Sequence, residues 1–199
     1  MDRTQTDETL EPMYQPDSAA HAFAFQLYSW LQPVLFALTV LVLVSTFLGR
    51  LIGVEGDSMF PTLHDRDMLI LQSVGYTPKG GDVVVLTPKS FRDGTPIVKR
   101  VIATGGQEVS IDYSTGTVYV DDQALEEPYL GEDMKLVADQ FRGEYPVTVP
   151  EGCVFVLGDN RNHSSDSRVP DIGMVDQRCI LGRAVWILMP FQDFGGIAK

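Results

Sequence analysis

WLQPVLFALTVLVLVSTFL, residues 30–48, runs for nineteen residues without a charge. Wound as a helix it is about 28 Å long, close to the thickness of a bilayer's hydrocarbon layer. Pro33 falls near its start, where a first helical turn tolerates proline. Tyr28 and Trp30 stand where an interfacial aromatic belt lies. A cleavable signal peptide wants a positively charged lead, a shorter apolar core and small residues at its exit. Residues 1–28 instead carry five acids and one arginine, and the exit reads Thr46-Phe47-Leu48-Gly49-Arg50. The run therefore reads as an uncleaved anchor over residues 29–49, behind an acidic tail of residues 1–28. A buried helix of a soluble protein is the alternative. Orientation stays open. Arg50 and Arg66 follow the run closely, which read literally keeps the larger domain in the cytoplasm, yet long domains cross largely regardless of charge.

Behind the run the periodicity changes. Residues 68–74, 82–86 and 96–103 are short and rich in β-branched side chains, separated by turn clusters such as Thr77-Pro78-Lys79-Gly80-Gly81. Residues 108–112 and 117–121 flank Tyr113-Ser114-Thr115-Gly116 as a hairpin, and 153–157 and 178–188 are two further apolar strands. No long 3.6-residue periodicity follows the span. The pattern predicts a mainly β, antiparallel domain over residues 50–199 on one N-terminal transmembrane helix.

That domain of roughly 150 residues is long enough for a hydrophobic core of its own. The chain carries a net charge of -12 with a pI near 4.5, which argues against nucleic-acid binding. Residues 107–151 hold eleven acids against Lys135 and Arg142. The stretch 107–150 thus reads as a small acidic, hairpin-rich insertion, either a solvated lobe or an acidic docking surface. Cys153 and Cys179 are too few for a disulfide framework; they pair or stand as two buried thiols. With the three histidines they show no metal-ligand spacing.

Three segments carry chemistry. The first is Gly56-Asp57-Ser58-Met59-Phe60-Pro61-Thr62, with Ser58 eight residues past Arg50. Eight residues span at most about 28 Å, so Ser58 acts close to a membrane surface. A lone serine before proline is ordinarily a turn or cap residue. As a nucleophile it needs a base and a site for an oxyanion. The second segment is Ile97-Val98-Lys99-Arg100-Val101-Ile102, where a lysine inside an apolar strand points either to solvent or inward. Inward, burial disfavours its charged form. At the ordinary lysine value of about 10.4, roughly one amine in two thousand is neutral at pH 7; lowering it by about three units costs about 4 kcal/mol and makes neutral amine abundant. Arg100 faces the other side of the strand. His64 and His163 sit in no recognisable triad motif.

The third segment runs Gly158-Asp159-Asn160-Arg161-Asn162-His163-Ser164-Ser165-Asp166-Ser167-Arg168. It reads as a polar surface loop or as an internal network that orients a base. A calcium loop starting at Asp159 fails, because Arg161, Ser164 and Pro170 occupy its third, sixth and twelfth positions.

The three segments, in this order behind an anchor, resemble bacterial type I signal peptidase (leader peptidase) in its compact single-span form. Residues 56–62 resemble its nucleophile box, Val98-Lys99-Arg100-Val101 its lysine box, residues 158–168 its most distinctive box, and Gly182-Arg183-Ala184 the usual follow-on. The resemblance implies an antiparallel sheet curled into a partly open barrel. It implies a serine endopeptidase that removes signal peptides from exported preproteins through a Ser58–Lys99 dyad and an acyl-enzyme, with no cofactor. Ser164 would hydrogen-bond and orient the lysine, and Arg100, Asp159, Asp166 and Arg168 would brace the site. Ser58 N–H would be one oxyanion donor. The family often carries a serine two residues before the nucleophile as the other. Here that position is Gly56, where a backbone N–H would have to serve. Val54, Met59, Leu63, Leu69, Ile97 and Val98 would wall two shallow pockets for small side chains, or else be ordinary core. The partners implied are preprotein signal peptides and the lipid bilayer, with the catalytic domain on the outer face of the cytoplasmic membrane. Two other readings are a self-cleaving Ser–Lys protease of the repressor type, which would lack the anchor, and a non-enzymatic membrane-tethered β module that binds peptides.

Overall fold

The structure, a computed structural model, describes residues 18–47, 50–88, 94–135 and 144–197. The chain divides into two compact units, one ending at Leu43 and the other beginning at Val44.

The described part of the first unit is helical. Helix α1 spans Ser18–Phe47, and within it Phe23–Leu43 is long and apolar enough to cross a membrane. None of that stretch is buried. Its hydroxyls find acceptors on the helix itself: Ser29 Oγ donates to the Gln26 carbonyl at 2.7 Å and Thr39 Oγ1 to the Leu35 carbonyl at 2.8 Å. One expectation is corrected here: the helix begins at Ser18, so Pro33 lies inside it rather than in its first turn. The apolar pattern extends upstream through Ala19, Ala20, Phe23, Ala24 and Phe25, and that extension carries the helix. Residues 1–17 of the acidic tail, with Leu48 and Gly49, lie outside the described residues.

Among the described residues the second unit takes in the last turn of α1 and a 3-10 turn at Gln177–Cys179, and is otherwise built on β-strands. Its strands are β1 (Arg50–Gly53), β2 (Met68–Gln72), β3 (Val83–Leu86), β4 (Ile97–Thr104), β5 (Glu108–Asp112), β6 (Thr117–Val120), β7 (Gln123–Ala124), β8 (Val147–Thr148), β9 (Cys153–Leu157), β10 (Val175–Asp176), β11 (Ile180–Met189) and β12 (Gly195–Gly196). The larger sheet is ordered β1-β2-β11-β3-β4-β9-β10, with β12 also on β11. Its pairings are antiparallel, and its two end strands do not meet. The register slips between Ala184 and Trp186, between Ile187 and Met189, and between Val101 and Ala103. Each extra residue bends its strand and adds twist, which curls the sheet into a half-barrel. The predicted mainly β, antiparallel, partly open architecture is therefore the one observed.

The strands β5, β6, β7 and β8 build a separate sheet ordered β7-β6-β5-β8, with the expected hairpin at its centre. The strands that the sequence did not indicate (β1, β7, β8, β10 and β12) have four residues or fewer, too short to show a periodicity. Strand β3 is buried at all four positions, which is why it reads as an unbroken apolar run; β2 alternates, with Leu69 and Leu71 inward. Cys153 and Cys179 are free thiols that pack against different core clusters.

Candidate active site

Between β1 and β2 the chain makes a loop that is closed at its base by Val54 N–H to the Asp67 carbonyl (2.8 Å) and Arg66 N–H to the Val54 carbonyl (2.9 Å). Gly56 enters the loop with φ +82°, and nothing lies within 4 Å of where a Cβ would stand. Glycine is used there for its backbone freedom and not for space. Phe60 N–H bonds the Asp57 carbonyl at 3.0 Å, and Leu63 N–H bonds the Met59 carbonyl at 3.0 Å. Ser58, half-buried, lies within the first of these turns.

Lys99 lies on the central strand β4, opposite Val84 of β3. It points inward and is 3% exposed. Its Nζ is hydrogen-bonded to Ser58 Oγ at 2.7 Å and donates to the Val98 carbonyl at 2.9 Å. Arg100, the next residue on the strand, is fully buried. Its Nε and Nη2 reach Asp159 Oδ1 and Oδ2 at 2.8 and 2.7 Å, a two-pronged pair, and its Nη1 donates to the Gly81 carbonyl at 2.8 Å. Thr62 Oγ1 donates to Asp159 Oδ2 at 2.5 Å, and the Tyr129 ring stacks 3.8 Å beneath the guanidinium. Burial, then the Glu127 charge, pushes the Tyr129 phenol well above its ordinary value, so it stays neutral in the stack.

The loop of residues 158–168 is an internal network and not a surface loop. Asp166 pairs two-pronged with Arg168, at 2.8 Å on each side, and Asp166 Oδ2 also accepts Gly158 N–H at 3.0 Å. A third buried pair joins Arg161 to Glu127, which the sequence did not suggest. Burial alone would lower the Arg161 pKa; the hydrogen bonds and charge of Glu127 outweigh it and hold the guanidinium protonated. Arg161 Nε donates to the Gly158 carbonyl at 3.1 Å. Gly158 is thus bonded on both sides. A Cβ on it would stand 2.1 Å from Ser164 Oγ and 2.5 Å from the Ser58 carbonyl oxygen. The loop also grips the nucleophile turn directly: Asn160 N–H bonds the Ser58 carbonyl at 3.0 Å and Asn160 Nδ2 the Asp57 carbonyl at 3.1 Å.

Ser58 and Lys99 open into a groove of about 670 Å³ with apolar walls from Ile52, Val54, Met68, Val85, Ile97 and Val98. One side is β1, which among the described residues pairs only with β2. The other is the start of β4, where residues 97–98 pair with β3 but precede the first β9 pairing at Arg100. Two backbone edges therefore flank the groove.

Several expected site residues are placed otherwise than the sequence suggested. Met59, Leu63 and Leu69 are not among the residues that line the groove. They are 1%, 0% and 0% exposed and form one core cluster with Val54. Ser164 is buried, but its Oγ has no hydrogen-bond partner among the described residues. It packs against Gly158, and the expected bond to Lys99 is absent. Gly56 N–H donates to Asp65 Oδ1 at 2.8 Å, so it is occupied and not a spare oxyanion donor. Away from the groove, His64, Asp67 and Asp193 bring side-chain ligand atoms within 4.8 Å of one another. Asp67 Oδ2 there accepts His64 N–H at 2.9 Å, which closes the loop's last turn.

A serine and a buried lysine in contact thus stand beside a groove in a curled antiparallel sheet. The family model described as signal peptidase, peptidase S26, matches residues 27–189. Signal peptidase I of Bacillus licheniformis is 34% identical over 174 residues, covering 84% of this chain and 91% of that protein. Signal peptidase IB of Staphylococcus aureus is 32% identical over 184 residues, covering 85% and 93%. A crystal structure of a signal peptidase I from Enterococcus faecalis V583 is 30% identical, with a TM-score of 0.44, over 55% of this chain and 98% of that one. The chain belongs to the signal peptidase I family of serine endopeptidases.

Proposed function

We propose that this protein removes signal peptides from exported preproteins, with Ser58 as nucleophile and Lys99 as general base. The observation that carries this reading is the 2.7 Å contact between Lys99 Nζ and Ser58 Oγ, in a site where the lysine is almost wholly removed from solvent.

A neutral Lys99 amine takes the Ser58 hydroxyl proton as Oγ attacks the scissile carbonyl carbon. The carbonyl oxygen becomes an oxyanion beside Ser58 N–H, which makes no hydrogen bond within the protein among the described residues. The Lys99 ammonium then gives its proton to the leaving amine and the C–N bond breaks. Water attacks the acyl ester, its proton passing to Lys99, and Ser58 is regenerated. The preprotein's cleavage segment lies extended in the groove, adding main-chain hydrogen bonds to the edges of β1 and β4. The apolar walls exclude large side chains next to the scissile bond. Helix α1 anchors the chain in the cytoplasmic membrane with the β unit on the outer face.

The test is cleavage of a preprotein in detergent by wild type, Ser58→Ala and Lys99→Ala. Both variants are expected to be inactive while retaining the wild-type melting temperature; full activity in either overturns the dyad. Protease added to intact cells is expected to digest the β unit, whereas a β unit protected in cells and cut in inverted vesicles refutes an outer-face enzyme.

A further inference from the structure

We propose that Asn160 is a positioning residue for the oxyanion site, acting through the peptide unit that joins Asp57 to Ser58. The inference rests on the reading of Ser58 as nucleophile.

A trans peptide unit is planar, with its C=O and N–H pointing in opposite directions. Whatever fixes the Asp57 carbonyl therefore aims the Ser58 N–H. That carbonyl accepts two hydrogen bonds, from Phe60 N–H at 3.0 Å and from Asn160 Nδ2 at 3.1 Å. A carbonyl can only accept, so the amide's NH₂ end must face it. The backbone N–H of the same Asn160 donates to the Ser58 carbonyl at 3.0 Å, which fixes the next peptide plane. One residue thus holds both planes that meet at the Ser58 Cα, and with them the backbone conformation of the nucleophile. Hydrogen bonds to a carbonyl also polarise its amide, which makes the Ser58 N–H a stronger donor.

Asn160 is itself held firmly. Asp159 before it is locked on Arg100, Arg161 after it on Glu127, and its carbonyl accepts His163 N–H at 3.0 Å. The need for such a clamp follows from Gly56. That position offers no side-chain hydroxyl, and its N–H is committed to Asp65. The aim of the Ser58 N–H then bears more of the oxyanion's stabilisation.

The experiment uses the full chain in detergent with Asn160→Ala, Asn160→Asp and Asn160→Gln. It measures kcat and KM on a preprotein, and the affinities of two peptides of one cleavage sequence. In the first peptide an aldehyde replaces the scissile carbonyl; Ser58 O–H adds across its C=O and places an oxygen in the oxyanion site. In the second the scissile amide is a methyleneamine, with no oxygen there. Removing an oxyanion donor outright lowers kcat by roughly 10²–10³-fold, so misaiming one is expected to lower it by roughly 10–100-fold in the Ala and Asp variants. KM stays unchanged, aldehyde affinity falls by the same factor as kcat, methyleneamine affinity is unaltered, and Asn160→Gln, which keeps a donor, recovers part of the loss. Wild-type kcat in all three variants, or equal weakening of both peptides, overturns the proposal. If Asn160→Ala does not fold, the Asp and Gln pair gives the same comparison. An inactive wild type, or an active Ser58→Ala, would instead sink the underlying reading of Ser58.

Discussion

Lys99 can act as a base only while its amine carries no proton, which separates it from any other long cationic side chain. Arginine stays protonated at every working pH. Lys99→Arg is therefore expected to fold but to lose roughly 10²–10⁴-fold in kcat, read by preprotein cleavage beside a melting curve. The serine and the lysine were legible as candidates because each sits in a local pattern that makes it unusual: Ser58 in a Gly-Asp-Ser-Met turn, Lys99 inside a β-branched run. Gly158 was legible only as part of a motif. Its reason is steric and appears once Ser164 and the Ser58 carbonyl are packed against it. Gly158→Ala forces one of them to move. The expected loss is about 1–3 kcal/mol of stability together with most of the activity, measured by urea unfolding and by cleavage.

At the scale of elements, strands that alternate or run apolar for four residues or more announced themselves, and those of two to four residues did not. Short strands such as β8 and β10 carry no periodicity; their partners make them strands. The same holds for the polar loop. Its acids and arginines suggested mutual satisfaction without saying which would meet; the fold pairs Arg100 with Asp159 and Asp166 with Arg168. The Arg161–Glu127 pair spans 34 residues and connects the loop to the insertion, which no local pattern could show. Removing one member of a buried pair leaves the other charge uncompensated. Asp159→Ala is expected to destabilise the β unit by about 3–5 kcal/mol, and a double replacement of Arg100 and Asp159 by apolar residues of similar volume to recover much of it, both read as urea midpoints.

For the whole molecule, the two compact units divide the work. Removing residues 1–47 is expected to leave cleavage of a short soluble peptide unchanged. Cleavage of a membrane-inserted preprotein should slow by roughly 10²–10⁴-fold, because tethering both partners to one membrane raises their effective concentration. Equal rates on both substrates would refute a tethering role. Stability at high pH follows from the partly buried tyrosines. Burial, reinforced by a neighbouring acid or phenol, raises the pKa of Tyr76, Tyr129 and Tyr145. In the unfolded chain they ionise near pH 10, so their contribution is whole below about pH 10 and is lost as pH rises from there towards the folded values. A melting temperature that declines above about pH 10, and less steeply in Tyr129→Phe, is the expected outcome.

The sequence by itself determined the membrane-length helix and the mainly β class, because each is written in residues adjacent along the chain or repeating at a short period; it offered Ser58 and Lys99 as separate candidates, and their contact across 41 residues came from the fold. The tertiary structure alone decided that Met59, Leu63 and Leu69 are core and not groove, that Gly56 N–H belongs to Asp65, and that Asn160 holds the turn carrying Ser58. Those facts depend on which side of a loop faces inward and on bonds spanning up to 103 residues, and both arise only when the sheet has curled and the loops have closed upon it.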